Sequence, residues 1–327
     1  MIMANKDKDT IWAALLHFGA NMWGDQPVKE YKDFSPYELS LISVADHLRF
    51  DESVWRKVTA RMAEVGMNMI VIDIGEGIQL KSHPELAVKG SWTVDRFRAE
   101  LDRLRKMGLE PIPKLNFSAA HDTWLKDYGR MLSTPEYYRV CEDVIAEVGE
   151  IFDTPRLFHL GYDEENWKCQ RSNAYAVVRQ GELWWHDFLL LSGFAEKRGM
   201  RPWIWSDYAW DHEEEFLQRM PRSVLQSNWY YGTHFEASKN AHRVLRCKMF
   251  KKLSDAGFDQ VPCGSNYESD ENFGALVSYC DNAIAPVHVK GYLMAPWKNT
   301  LPYKEKKLVE AMDQVGAAMK ARSASGA

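Results

Sequence analysis

The sequence predicts a single-domain α/β fold, a (β/α)8 TIM barrel, on the basis of two observations. Eight short apolar segments alternate with segments of helical periodicity along the 327 residues, and this alternation is typical of a parallel sheet. Polar or aromatic residues follow the apolar segments, as expected where barrel strands end at the active-site face. An open doubly wound sheet is the alternative, but the sequence contains no G-x-G-x-x-G or Walker pattern.

The strands are predicted at residues 11–18, 69–72 and 110–115, in the run beginning at 157, and at residues 202–205, 224–228, 260–264 and 289–295. Helices are predicted at residues 51–65, 93–107, 134–152, 182–198 and 234–256, in one further segment before the eighth strand, and at residues 302–322. Asp51 and Thr93 are typical N-caps, and Thr134 followed by Pro135 is a typical N-cap and first helical residue. Ser35 and Pro36 indicate a short helix in the long first loop.

The predicted domain organisation is a disordered N-terminal segment at residues 1–9, the catalytic barrel at residues 10–323 and a small-residue tail at residues 324–327. The first residues lack the hydrophobic core of a signal peptide, and no apolar run approaches the roughly 18 residues of a membrane span. We expect a cytoplasmic protein, or an exported one from which the signal peptide has been removed.

Composition narrows the possible ligands. The net charge is −5, and dispersed lysines and arginines argue against nucleic acid and membrane partners and favour a small neutral ligand. The five cysteines form no Cys-x-x-Cys unit, so neither a disulfide framework nor a zinc site is predicted, and no cofactor is expected. The 13 tryptophans and 14 tyrosines suit a sugar-stacking cleft, although core packing also uses such rings. The oligomeric state is left open.

The stretch at residues 157–165 reads Leu-Phe-His-Leu-Gly-Tyr-Asp-Glu-Glu and predicts a buried strand that ends in carboxylates. Gly161 indicates a close approach of the backbone to another group. Neighbouring residues point to opposite sides of a strand, so Asp163 and Glu164 are expected in distinct environments, as acid and base catalysis requires. An ordinary acidic loop is the alternative interpretation.

The other strand ends supply candidate substrate-binding residues, because the carboxyl ends of barrel strands meet on one rim. Carboxylates and aromatic rings without a phosphate-binding loop favour a neutral carbohydrate ligand and predict glycoside hydrolysis, with Glu164 as the acid. The candidates are Asp73, Glu76, His121, Trp205, Asp207, Trp229, Tyr230, Tyr231, Trp297 and Asn299, together with His17 and Asn21.

Two other chemistries have less support in the sequence than glycoside hydrolysis. A metal site would draw its ligands from strand-end side chains, namely His17, Asp73, His121, His159 and Asp163. No pair among them has helical ligand spacing, and His159 within its strand is more typical of a packed histidine. A serine or cysteine nucleophile lacks support, since the sequence contains no Gly-x-Ser-x-Gly elbow. The predicted site therefore contains no metal.

Residues 142–165 resemble the helix and strand of family 20 glycoside hydrolases, the β-N-acetylhexosaminidases, whose signature is His-x-Gly-Gly-Asp-Glu. Residues 78–86 look like that family's loop after the second strand, and residues 108–121 are similar to its Ile-Pro-Glu-x-Asp-x-Pro-Gly-His stretch. Residues from about 50 to 300 are covered by the resemblance. It implies a retaining, exo-acting enzyme that removes terminal β-linked N-acetylhexosamine.

The resemblance also implies residue roles. Glu164 would be the general acid and base, and Asp163 would orient the 2-acetamido group of the substrate, whose carbonyl oxygen attacks the anomeric carbon. His121 matches a histidine near the acid, and Tyr230 or Tyr231 would contact the acetamido group. Aromatic pocket walls would come from three tryptophans, Trp205, Trp229 and Trp297.

The sequence departs from the family pattern at several positions. Tyr162 replaces the second signature glycine, which predicts a bulky ring beside the acid pair, Asp163 and Glu164. The arginine expected after the first strand has no counterpart in residues 18–23, and Asn116 stands near the place of an aspartate. The family's Trp-x-Glu after the eighth strand reads Trp297-Lys298-Asn299. These changes concern sugar recognition more than acid catalysis.

Two alternatives remain open beside the N-acetylhexosaminidase. A glycosidase for a sugar without an acetamido group would need a second carboxylate as nucleophile about 5 to 5.5 Å from Glu164. Glu76, Asp207 and Glu165 are the candidates for that role. A non-catalytic carbohydrate-binding barrel is the other alternative, although it has no physical need for an adjacent acid pair at a strand end.

Overall fold

Eight parallel strands form a barrel that is surrounded by helices, in a computed structural model that describes residues 10–31, 34–235 and 240–325. The hydrogen-bonded order is β6-β5-β4-β3-β2-β1-β8-β7, and the bridges Gln226 to Gln260 and Trp229 to Cys263 join β6 to β7. The strands are β1 Ile11–His17, β2 Met69–Asp73, β3 Glu110–Lys114, β4 Leu157–His159, β5 Arg201–Trp205, β6 Leu225–Ser227, β7 Cys263–Gly264 and β8 Gly291–Met294. The predicted barrel is confirmed.

The helices follow the strands in the predicted alternation. They are α1 Pro36–Ile42, α2 Glu52–Glu64, α3 Val94–Lys106, α4 Pro135–Ile151, α5 Gly181–Glu196, α6 Tyr208–Asp211, α7 Glu213–Arg219, α8 Ala241–Asp255, α9 Asn272–Ala283 and α10 Glu305–Ser325. Short 3₁₀ helices lie at Pro84–Leu86, Thr123–Arg130 and Pro302–Lys304. The predicted caps Ser35, Asp51, Thr93 and Thr134 each accept a hydrogen bond from a backbone amide of the following turn. None of the described helices is long and apolar enough to cross a membrane.

Several predicted boundaries were wrong. Strand β1 ends at His17, because the Phe18 ring leaves the barrel and packs edge-on against Trp55 and Trp92. Helix α8 begins at Ala241, where Asn240 accepts amide hydrogen bonds as its cap, and not at residue 234. Residues 1–9, 236–239 and 326–327, on which parts of the predicted N-terminal segment, helix and tail fall, lie outside the described residues.

Helices α6 and α7, between β5 and β6, were not predicted. Helix α6 buries only Ala209 and helix α7 buries only Phe216. An apolar period cannot be recognised from one buried residue per helix. The short helices matter for the site because they follow Asp207 directly and carry Trp210.

Alternate strand residues fill the barrel interior with apolar side chains. They are Ile11, Ala13, Leu15, Met69, Val71, Ile112, Leu157, Trp203, Leu225, Val261 and Leu293.

Toward the carboxyl ends of the strands, this core gives way to a buried polar layer. Lys114 Nζ lies 2.5 Å from Asp73 Oδ2, and His17 Nδ1 lies 3.4 Å from the same oxygen. Burial alone raises the pKa of Asp73, but Lys114 and His17 lower it to about 2. Asp73 is therefore an anion beneath the strand ends.

We predict that Lys114→Met destabilises the protein by about 3 to 5 kcal/mol, because it leaves the buried Asp73 carboxylate without its ammonium partner. The measurement is the free energy of unfolding in denaturant. Lys251→Met is the matched control, since Lys251 forms an exposed pair with Asp255, and its loss is expected to cost less than about 1 kcal/mol. Equal costs for the two variants would contradict the structural role of the buried pair.

Candidate active site

The acid pair follows β4 in an unusual backbone conformation. Gly161, Tyr162 and Glu164 have φ angles of 74°, 71° and 55°, which lie in the left-handed region. Because this conformation interrupts the alternation of a strand, Asp163 and Glu164 do not diverge. His121 Nε2 lies 3.4 Å from Asp163 Oδ2 and 3.4 Å from Glu164 Oε2. The two environments differ in exposure, however, with 11% of the Asp163 side chain and 39% of the Glu164 side chain exposed.

Asn116, just after β3, orients Asp163. Its Nδ2 donates to Asp163 Oδ1 over 2.6 Å, and its Oδ1 accepts from the amides of Ser118 and Tyr162 over 3.0 and 3.2 Å. Gly161 passes so close that a Cβ atom there would overlap the Asn116 side chain and lie 2.8 Å from its Cα. The close approach predicted at Gly161 is thus with the residue that holds Asp163.

Asp207, after β5, holds the backbone of Glu164. Its Oδ2 accepts from the Glu164 amide over 2.8 Å, and its Oδ1 accepts from Trp229 Nε1 over 2.9 Å. Burial, together with the charges of Asp163 and Glu164, raises the pKa of Asp207 to about 8. At neutral pH the carboxyl group of Asp207 is therefore mostly neutral, while it still accepts two hydrogen bonds.

His121 supplies the positive charge of the site. Burial alone lowers the pKa of His121, but Asp163 and Glu164 outweigh this effect and raise the pKa to about 9. Burial raises the pKa of Glu164, but its contact with His121 and the charge of Arg246 reverse the effect and lower it. In the free protein at neutral pH the imidazole is thus cationic and Glu164 is an anion.

Three aromatic residues that follow β6 and β8 form one side of the site. We call this side the aromatic wall and define it as Trp229, Tyr231 and Trp297. The rings of Trp229 and Tyr231 are stacked with centroids 4.9 Å apart, and Trp297 Nε1 donates to Tyr231 Oη over 2.8 Å. Trp205 lies beneath, 5.7 Å from Trp297 between ring centroids. Among the described residues, no group accepts a hydrogen bond from the buried Trp205 Nε1.

Some predicted site residues point elsewhere. Tyr230 donates to the carbonyl of His234 and packs against Phe235, because alternation at the end of β6 turns it away from Tyr231. Glu76 is buried and accepts from the amides of Ala20 and Asn21. Asn299 is buried with its Nδ2 3.5 Å from the Leu41 carbonyl. Asp73 belongs to the buried layer below.

Two further expectations change. The Tyr162 ring does not lie beside the acid pair, because its left-handed backbone directs it outward against Trp184 and Phe188 of α5. The third acid, Glu165, is held by Arg179 at 2.6 and 2.8 Å. That buried pair anchors the loop after the acid pair and is not free to react.

Sequence reasoning missed Arg246, Trp210 and Tyr31. Arg246 lies on α8 and Trp210 on α6, so neither directly follows a strand. Tyr31 comes from the long loop after β1, and the charge of Glu164 contributes to its raised pKa, after burial. The only signal available was the excess of aromatic residues, which does not identify which rings reach the site.

The metal ligands considered from the sequence are divided between two layers. His17 and Asp73 lie in the buried layer, whereas His121 and Asp163 lie at the strand ends. One atom each from His121, Asp163 and Glu164 lie within 4.8 Å of one another, which is compatible with a metal ion. The raised pKa of His121 favours an imidazolium in contact with two carboxylates over a neutral ligand.

The closed order of eight parallel strands places the chain in the class of (β/α)8 barrels, and an adjacent acid pair follows β4. Similar solved structures include the Flavobacterium johnsoniae chitobiase, with 16% identity over 86% of this chain and 49% of that chain and a TM-score of 0.59. Dispersin B shares 13% identity over 82% and 95% of the two chains, with a TM-score of 0.57. A mutant Streptomyces plicatus β-hexosaminidase in complex with its product GlcNAc shares 12% identity over 93% and 63%, with a TM-score of 0.60.

These likenesses establish the fold: the chain has the barrel architecture seen in family 20 β-N-acetylhexosaminidase structures. It spans about half the length of the chitobiase. No protein-family model matches the sequence, and no curated protein matches it.

We predict that Gly161→Ala destabilises the protein more than Gly181→Ala. Both positions have positive φ, which costs an alanine about 1 to 2 kcal/mol. A Cβ atom meets nothing within 4 Å at Gly181, whereas at Gly161 it meets Asn116. Unfolding free energies in denaturant measure the difference, and equal losses would contradict the close approach described above.

Proposed function

We propose that this protein is a retaining exo-glycoside hydrolase that removes terminal β-linked N-acetylhexosamine by substrate-assisted catalysis. The observation that carries the proposal is the Asp163 and Glu164 pair around one imidazole nitrogen, at the end of β4 in this barrel. Several of the similar solved structures are hexosaminidases, and one of them contains GlcNAc as product. The acid pair here has the side-chain types that such chemistry requires.

In the proposed reaction, Glu164 donates a proton to the glycosidic oxygen as the bond to the leaving group breaks. Its greater exposure supports this role, because the donor must reach the leaving group. The free anion must first gain a proton, and bringing substrate against Glu164 removes water and thereby raises its pKa. After departure of the leaving group, the Glu164 carboxylate accepts a proton from the attacking water.

Asp163 is the proposed partner of the 2-acetamido group. A carboxylate that accepts the amide N–H of the substrate directs the acetamido carbonyl toward the anomeric carbon and stabilises the positive charge that develops. The short bond from Asn116 Nδ2 fixes Asp163 for this task and occupies one of its oxygens. The aromatic wall offers flat faces for the sugar, with the Tyr231 hydroxyl at its centre.

A separate carboxylate nucleophile has less support. Glu165 is bound by Arg179, and Glu76 is buried on the amides of Ala20 and Asn21. Asp207 is adjacent to Glu164, but both of its oxygens accept hydrogen bonds and its raised pKa makes it a poor anion at neutral pH. The substrate's own acetamido group is the better nucleophile.

We predict that aryl β-N-acetylhexosaminides, but not the corresponding aryl β-glucosides, are hydrolysed. Glu164→Gln is expected to lower kcat at least about a hundredfold by removing the acid. Asp163→Asn is expected to lower it by a similar factor, because the amide no longer carries the charge that stabilises the transition state. Release of the aryl alcohol measures both effects.

Asp211→Asn is the control, since this exposed carboxylate on α6 is outside the proposed site. It should keep the wild-type rate. Hydrolysis of glucosides would support the alternative with a carboxylate nucleophile. Sugar binding without any turnover would contradict the enzymatic proposal and support a binding barrel.

We also predict that kcat/KM falls as the pH rises through about 8. Asp207 then ionises, and its negative charge repels the anions of Asp163 and Glu164 and disturbs their arrangement around His121. In Asp207→Asn this ionisation is absent, so the alkaline fall should move toward about 9, where His121 loses its proton. A pH profile that is identical in both proteins would exclude Asp207 as the titrating group.

A further inference from the structure

Arg246 on α8 packs against two tryptophan rings, Trp210 and Trp229, which contact each other edge to face at the side of the site. Its guanidinium carbon lies 4.1 Å from the ring centre of Trp210 and 4.2 Å from that of Trp229. Asn228 fixes the arrangement by donating to the Arg246 carbonyl over 2.7 Å and accepting from Trp210 Nε1 over 2.9 Å. Asn228 therefore joins the α8 backbone at Arg246 to the Trp210 ring against which the guanidinium packs.

No carboxylate in the described part of the chain forms an ion pair with this cation, although its charge acts on Glu164. Among residues 10–31, 34–235 and 240–325, no carboxylate or other acceptor forms an ion pair or hydrogen bond with the half-buried Arg246 guanidinium. Arg243, one turn earlier on α8, instead pairs with Glu268 over 2.7 Å. The two tryptophan rings contact the guanidinium group but supply no acceptors for its N–H groups.

Arg246 lies close to the reacting groups. Its ring partner Trp229 belongs to the aromatic wall and donates to Asp207, which in turn accepts from the Glu164 amide. The charge of Arg246 also acts on Glu164 directly. Because Glu164 is the proposed proton donor to the leaving group, Arg246 is placed to contact the sugar on the leaving side of the bond.

A second cation, Arg171, lies beside Tyr31. The Arg171 guanidinium lies 5.5 Å from the ring centre of Tyr31. The pKa of Tyr31 is raised by burial and by the charge of Glu164. Both residues, Arg171 and Tyr31, border a cavity of about 440 Å³. Its lining contains one carboxylate and two cations, and consists of Lys29, Glu30, Tyr31, Phe34, Leu39 and Arg171.

We propose that Arg246 binds an anionic substituent, a carboxylate or a sulfate ester, on the sugar next to the terminal N-acetylhexosamine. A planar guanidinium fork matches two oxygens of such a group, and its pre-organised geometry limits the entropy lost per hydrogen bond. The substrate class is then an acidic glycan and not the neutral one expected from composition. This inference rests on the proposed function for its position on the leaving side.

The test uses β-linked disaccharides of N-acetylglucosamine with glucuronic acid, with glucose 6-sulfate and with glucose. The wild type should hydrolyse at least one acidic disaccharide with a kcat/KM about tenfold or more above that of the neutral one, mainly through KM. Arg246→Gln should abolish that preference, so that the acidic and neutral disaccharides are hydrolysed with similar kcat/KM values. The two acidic compounds distinguish a carboxylate site from a sulfate site.

Arg243→Gln is the matched control, because it removes the same charge from the same helix at an exposed ion pair, and it should retain the preference. Arg246→Lys should restore part of it, since lysine keeps the charge without the fork. Equal kcat/KM values of the wild type for all three disaccharides, or an unchanged preference in Arg246→Gln, would overturn the proposal. Thermal unfolding of each variant verifies that the fold is intact.

A binding measurement distinguishes failure of the proposed function from failure of the anionic site. If the aryl N-acetylhexosaminides are not cleaved, titration calorimetry of the three disaccharides with the wild type and Arg246→Gln tests the anionic site alone. Tighter binding of an acidic disaccharide that Arg246→Gln abolishes would support the site without catalysis. Equal binding of the acidic and neutral disaccharides would overturn it.

Discussion

The arrangement of the site depends on the contact between the Asn116 amide and the left-handed backbone of Gly161 and Tyr162. One side-chain oxygen accepts from the Tyr162 amide, and the neighbouring nitrogen orients Asp163. Left-handed residues are costly outside glycine, so surrounding contacts must compensate. The Asp207 bond to the Glu164 amide and the Arg179 bond to Glu165 provide them on the following residues. A neighbouring pair of acids thereby reaches one imidazole, which a regular strand would not allow.

Charge balance follows from the same geometry. Three carboxyl groups, from Asp163, Glu164 and Asp207, lie around one imidazole, and three anions there would repel one another strongly. The fold reduces this repulsion in two ways, because His121 carries a proton and burial keeps Asp207 mostly neutral. Deeper in the barrel, Lys114 separately compensates Asp73. The charge of Lys114 also opposes protonation of His121, so the site remains coupled to the layer that supports it.

Sequence reasoning predicted the barrel, the order of its strands and the acid pair, because alternation and strand-end chemistry are local properties of the chain. It did not predict the direction of individual side chains where strands stop. Tyr162 turns outward and Tyr230 points away from the site because the backbone conformation, and not residue type, decides direction at these positions. The position of Arg246 could not be predicted from the sequence either, because this helical residue contacts the strand ends only through the packing of α8 beside α6.

Net charge is a poor guide to a ligand when charges are distributed unevenly. The chain is acidic overall, and most of its arginines and lysines on the described surface are paired with carboxylates, as Arg243 is with Glu268. Pairing with a carboxylate cancels most of the long-range electrostatic field of an arginine or lysine. Unpaired cations therefore contribute most to the electrostatic potential near the site. Arg246 packs there against Trp210 and Trp229 without an ion-pair partner among the described residues. A cation that is unpaired and only partly hydrated gains most from an anion that arrives with the ligand.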